Sequence, residues 1–177
     1  MSFDDLLASN ATYAQDFADG GFDGIAHAGV LMVTCMDSRI DPLHMIGLRM
    51  GDAKILRTPG GQLTDDALRG CILGAHLLGV ERIMVVPHTR CAMASGTDAD
   101  IYAKFDRVTG VNARGFRFDA DPDQLGRLRR DISYLENHPL LADRVEVGGF
   151  IYDVDTGLLQ QVHQGRCRTA PPPPPAA

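Results

Sequence analysis

Two short stretches of this chain hold residues that could do chemistry together: Cys35, Asp37 and Arg39 in a C-x-D-S-R run, and His88 with Cys91 in an H-x-x-C run. Two thiolates and one imidazole form a donor set suited to Zn²⁺, which takes sulfur at about 2.3 Å and nitrogen at about 2.0–2.1 Å in tetrahedral geometry. Three protein donors leave a fourth position open, the pattern of a catalytic zinc rather than a structural one. Two thiolates cancel the charge of the ion, so such a centre acidifies its water less than a three-histidine site does. Asp37 can supply help. Two residues from Cys35, it can reach the open position or accept a hydrogen bond from water there, while Arg39 can hold its carboxylate in a bidentate pair. If the pair breaks, Asp37 can ligate the metal and block it, which would make a pH-sensitive switch.

Each motif has a plainer reading when taken alone. A cysteine at a strand end is usually core, an isolated H-x-x-C is weak, and an Asp–Arg pair in a loop is usually structural. Together they are stronger, because both motifs follow apolar runs that read as buried strands. His27, His44, His76, His138 and His163 have no such setting and read as surface or satisfied core histidines. Cys71, in LRGCILGAHLLGV, reads as a small core hydrophobe, and Cys167, in HQGRCRTA, as an exposed thiol without a role.

Residues some fifty positions apart meet only if the fold brings them together. VLMVTC at 30–35, AKILRT at 53–58 and RIMVVPH at 82–88 are continuous apolar runs of the kind buried on both sides in a parallel sheet. Between the last two, TDDALRGCILGAHLLG has the length and period of a helix, with Thr64 as N-cap, Asp65 and Asp66 in the first turn and Gly79 at the end. Further helices are expected over 98–108 and 122–137. VEVGGFIYDVDTGLLQQV then reads as a last strand, a turn and a short return strand at a sheet edge. The alternation predicts an α/β fold, a mostly parallel sheet with helices on both faces and right-handed crossovers. In such sheets ligands bind at the carboxyl ends of the strands, where both motifs lie. At the N-terminus, Leu6, Leu7, Tyr13 and Phe17 mark an amphipathic helical arm, with Ser2 as N-cap and Asp5 completing a capping box. Its apolar face must lie on this domain or on a second copy of the chain.

A length of 177 residues predicts one domain, over 1–164, followed by a polar, proline-rich tail at 165–177 with no core-forming residues. A net charge of -6 gives no electrostatic reason to expect nucleic acid or an anionic membrane as partner. The opening MSFDDLLASN lacks a basic region followed by an apolar one, and no apolar run reaches the roughly 20 residues of a membrane-spanning helix. A cytoplasmic location is the expectation, and four cysteines there point to metal binding, catalysis or burial rather than disulfides.

VTCMDSRID, LRTPGG, LTDDALRG and VVPHTRCAM resemble the β-carbonic anhydrases, over roughly residues 3–160 and most specifically at 33–39 and 88–93. The resemblance implies reversible hydration of carbon dioxide to bicarbonate and one zinc per chain on Cys35, His88 and Cys91. It further implies Asp37 and Arg39 as a catalytic dyad, with Asp37 as fourth ligand in an inactive form. A homodimer, possibly paired into a tetramer, is implied too, with N-terminal helices wrapped on the partner. In the family the loop after the second strand reads R-N-A-G or R-S-A-G, whereas this chain has Arg57-Thr58-Pro59-Gly60-Gly61, and the proline removes one amide donor. The amides of Gly60 and Gly61 could still approach bound bicarbonate or the dyad, and a purely structural turn is the other reading. A related group that hydrolyses carbonyl sulfide shares the HTRC spelling, so hydrolysis of carbonyl sulfide or carbon disulfide on the same site is the second possibility. A non-catalytic zinc-binding module is the third possibility.

Overall fold

The computed structural model describes residues 2–165, so Cys167 and the proline-rich tail lie outside the described residues. β1 (Val30–Cys35), β2 (Ala53–Thr58), β3 (Arg82–Val86), β4 (Glu146–Tyr152) and β5 (Leu159–His163) form one sheet in the order β2-β1-β3-β4-β5. The first four strands are parallel, and β5 returns antiparallel on β4 at the edge. Every residue of β1 is buried, as its unbroken apolar sequence requires of the strand between β2 and β3.

Four helices complete the chain: α1 (Asp4–Gln15), α2 (Asp65–Leu77), α3 (Asp98–Thr109) and α4 (Gln124–Asn137). α2 starts where its sequence says, with the Thr64 side chain accepting the Ala67 amide. Asp123 does the same for Gly126, so α4 begins after that cap. Leu31, Val33, Ile83, Val85 and Val147 share one sheet face by strand alternation and register. Ala67 and Cys71 of α2 and Leu128, Ile132 and Leu135 of α4 join them in one core. The two helices that carry the core therefore lie on one face of the sheet. Cys71 is fully buried there, and burial pushes its thiol up to about 12, in keeping with a packing role.

At the N-terminus the expected cap is displaced. Phe3 occupies the N-cap of α1 with no side-chain cap, and the Ser2 hydroxyl instead donates to the Asp4 carboxylate at 2.9 Å. Because the helix starts at Asp4, Ser2 sits one residue too early to reach the third helical amide. α1 buries none of its residues, and Leu6, Leu7 and Tyr13 are more than half exposed. Its apolar face thus finds no cover among the described residues. No helix among the described residues is long and apolar enough to cross a membrane.

Candidate metal centre

β1 has β2 on one side and β3 on the other, so the chain reverses its direction of travel across the sheet between β1 and β3. The carboxyl ends of strands flanking such a reversal diverge and leave a crevice. Cys35 is the last residue of β1, and His88 follows β3 by two residues. Cys91 comes back to the same point because Arg90, between the two donors, takes a left-handed φ of 54°. A side chain rarely adopts that conformation without help from its surroundings. Here the Arg90 guanidinium pairs with Asp155, and its carbonyl accepts from Arg39 Nη2 at 3.3 Å.

Cys35, His88 and Cys91 bring one donor atom each to within 4.8 Å of one another, and all three residues are buried. The His88 Nδ1 lies 2.8 Å from the Thr89 carbonyl, an acceptor only, so Nδ1 carries the proton and Nε2 is left with its lone pair. That Nε2 is fully buried and has no hydrogen-bond partner. An unpartnered buried polar atom costs about 1–3 kcal/mol, which a coordinated cation would offset. The sulfurs make the same point. The Cys91 thiol draws the Cys35 pKa down, chiefly by hydrogen bonding to its sulfur, and the neighbouring Cys35 pushes the Cys91 pKa up. Two adjacent thiolates repel unless a cation lies between them, so the donor set fits a divalent, sulfur-preferring metal such as zinc. Main-chain amides of Asp37 and Gly60 favour the thiolate of Cys35, and those of Met93 and Ala94 the thiolate of Cys91. They would fix and moderate the charge of the ligands.

Asp37 and Arg39 meet as their spacing allows. Arg39 Nε donates to Asp37 Oδ1 at 2.9 Å, Nη2 to Oδ2 at 2.7 Å, and the Arg39 amide also donates to Oδ1 at 2.9 Å. Oδ2 stands 3.7 Å from His88 Nε2, at the edge of the donor cluster but committed to arginine. The Arg39 guanidinium holds the Asp37 carboxyl well below the usual carboxylate range. For an acid with a depressed pKa, the charged pair is complete above the ordinary carboxylate value and is lost only as pH falls below it. The Asp37 carboxyl carbon is therefore expected to show no titration step by ¹³C NMR between about pH 5 and pH 9. A step in that range would contradict the pairing.

The Pro59-Gly60-Gly61 turn sits over the crevice. Gly60 and Gly61 have φ of 73° and 66°. A Cβ on Gly61 would lie 3.1 Å from the Val86 carbonyl oxygen and 3.2 Å from the Cys35 amide nitrogen, so only glycine lets this turn rest on the two strand ends. Ile40, Met45, Met93, Ala94 and Tyr152 pack around the two cysteines and make the surroundings apolar.

Several supports could not be read from spacing. Arg57 donates to the carbonyls of Cys35, Asp37 and Ile40. Gln124 Nε2, at the start of α4, donates to the His88 carbonyl at 3.0 Å. Tyr152 exchanges main-chain hydrogen bonds with Pro87 and Thr89. Of these only Arg57 carried any signal, standing first in the loop that holds Gly60 and Gly61. The other histidines have local partners: His27 with Asp23, His44 with Asp41, His76 with the Leu140 carbonyl, His138 with the Leu140 amide and His163 with Glu136.

The carbonic anhydrase family model matches residues 30–110, a span that holds all three donors together with Asp37 and Arg39. The chain is 32% identical over 159 residues to β-carbonic anhydrase 1 of Mycobacterium bovis, covering 90% of this chain and 96% of that protein. It belongs to the β-carbonic anhydrase family. A carbon disulfide hydrolase of Acidithiobacillus thiooxidans is 33% identical over 150 residues, covering 73% of this chain and 74% of the relative. Among solved structures, a carbonic anhydrase from Streptococcus mutans superposes with a TM-score of 0.82 at 35% identity, over 92% of this chain and 99% of that one. Within the β-carbonic anhydrase family, then, the chain shares ancestry with enzymes named for two different substrates. The donor cluster does not by itself choose between them.

Proposed function

We propose that this protein is a zinc-dependent carbonic anhydrase that interconverts carbon dioxide and bicarbonate with release of a proton. The observation that carries the reading is a buried Cys-His-Cys socket, with an unpartnered imidazole nitrogen, beside a carboxylate held on both oxygens by arginine. One zinc per chain on Cys35, His88 and Cys91 would lower the pKa of a water molecule enough to supply a nucleophile near neutral pH. In this reading Asp37 and Arg39 are catalytic. Asp37 accepts a hydrogen bond from the attacking water and sets the direction of its lone pair, while Arg39 keeps the carboxylate ionised and in place. Ile40, Met45, Met93 and Ala94 offer a small linear substrate an apolar wall. To become a fourth ligand in a closed form, Asp37 would have to give up both bonds to the Arg39 guanidinium. Gly60 has a left-handed φ of 73°, and a Cβ there would lie 3.0 Å from Met93 Cβ, which favours the structural reading of that residue over a contact with substrate.

A second reading, hydrolysis of carbon disulfide or carbonyl sulfide, has its support in the 33% identity to the Acidithiobacillus enzyme. Assays of carbon dioxide and carbon disulfide side by side on one preparation separate the two. The faster rate is expected with carbon dioxide; a clearly higher kcat/KM with carbon disulfide reverses the assignment.

We further propose a homodimer in which α1 lies against a second copy, since Leu6, Leu7 and Tyr13 have no cover among the described residues. Leu6→Asp combined with Leu7→Asp is expected to halve the mass seen by light scattering, and an unchanged mass would free α1 from this role. A reducing, cytoplasmic location accords with the free thiols of Cys35 and Cys91 lying side by side.

A further inference from the structure

We propose that Arg57 is a positioning residue that sets where Asp37 stands relative to the metal donors; the inference deepens the reading of the site given above and rests on it. Arg57 is the penultimate residue of β2 and lies opposite Thr34 in the pairing with β1. From there its guanidinium reaches the loop that leaves β1. Nε donates to the Cys35 carbonyl at 3.0 Å, and Nη2 donates to the carbonyls of Asp37 at 2.5 Å and Ile40 at 3.2 Å. These three bonds go to one six-residue segment, and that segment carries a metal donor, the carboxylate, its arginine partner and an apolar residue packed on the cysteines. Among the described residues no carboxylate lies within salt-bridge distance of Arg57, although the other guanidiniums around the site, on Arg39 and Arg90, each have one.

The geometry explains why arginine is needed. The Cys35 and Ile40 carbonyls mark the exit and the end of the loop, and the Asp37 carbonyl lies between them. A planar fork that binds all three fixes the arc of the main chain from beneath. The Asp37 side chain can then be taken up by Arg39 without the loop having to order itself. A lysine ammonium, a compact charge on a flexible stem, cannot present the same fixed fork. Loss of the clamp would let the Asp37 backbone drift, and a misplacement of about 1 Å at a reacting group costs about 10²-fold in rate.

The test uses the full chain with Arg57→Ala and Arg57→Lys, each loaded with zinc and, separately, with cobalt(II). For Arg57→Ala we expect one metal per chain to be kept and amide exchange over residues 36–40 of the metal-free protein to speed up. The visible spectrum of the cobalt form should change shape as the freed carboxylate alters the coordination sphere. kcat should fall about 10²-fold, and added guanidinium ion should restore part of it in the variant and none in the parent. Arg57→Lys should fall between the two, and it carries the same readouts if Arg57→Ala does not fold. A cobalt spectrum and kcat equal to the parent's overturn the inference, as does a loss of activity that only follows the fraction unfolded. A parent protein inactive on carbon dioxide would sink the proposed function, yet the exchange rates and the cobalt spectrum would still decide for or against Arg57.

Discussion

His88→Ala is expected to yield a protein that folds but does not retain zinc. Metal held by a small set of cysteine and histidine donors contributes about 10–16 kcal/mol. Deleting one donor of three removes several kcal/mol of that, on the order of a thousandfold or more in affinity. In the metal-free protein the change should be mild for a buried residue. The substitution leaves a cavity, but it also removes a buried Nε2 that has no hydrogen-bond partner, and the two effects oppose each other. The signature is a contrast between states. Added zinc should raise the melting temperature of the parent and leave that of His88→Ala where it was. A variant whose melting temperature still rises with zinc, at one ion per chain, would show that the donors lie elsewhere.

Asp37→Asn should separate binding from turnover. The amide keeps the size of the carboxylate and can still accept from Arg39, so the loop and the three donors stay in place and zinc is retained. What disappears is the negative charge held at the edge of the cluster, 3.7 Å from His88 Nε2. A group that positions or accepts from a reacting water contributes typically 10²–10⁴-fold, and kcat for carbon dioxide hydration should fall by about 10²-fold or more. Retained zinc with unchanged turnover would take Asp37 out of the mechanism. Loss of zinc instead would make it a structural support of the centre.

Much of this architecture could be read from the sequence because its signals are strong and local. VLMVTC and RIMVV are too uniformly apolar for anything but buried strands, and Thr64 followed by Asp65 and Asp66 marks a helix start before any contact is known. Once those strands are taken as parallel, Cys35 and His88 must lie on the same rim, so the donor set follows from connectivity. Where reading failed, the cause lies in contacts between elements. At the N-terminus residue type favours Ser2 over Phe3 as the cap of α1, yet the helix starts one residue later, a shift of little cost. That α2 and α4 share one sheet face depends on which side each crossover takes. The left-handed Arg90 and the bond from Gln124 to the His88 carbonyl come from chain segments that meet only in the folded protein, and the HTRC spelling carries no mark of either. Arg57 is the instructive case. Its position was visible as the head of the Pro59-Gly60-Gly61 loop, but its three partners lie on another strand's exit.

Cys35, His88 and Cys91 would hold the metal that supplies the nucleophile for carbon dioxide hydration, and stopped-flow hydration on protein of known zinc content tests this most directly. Measured from pH 6 to 9, activity should rise with pH, vanish when zinc is chelated, and return in proportion to zinc restored up to one ion per chain. Stoichiometric zinc with no hydration at any pH in that range would contradict the account.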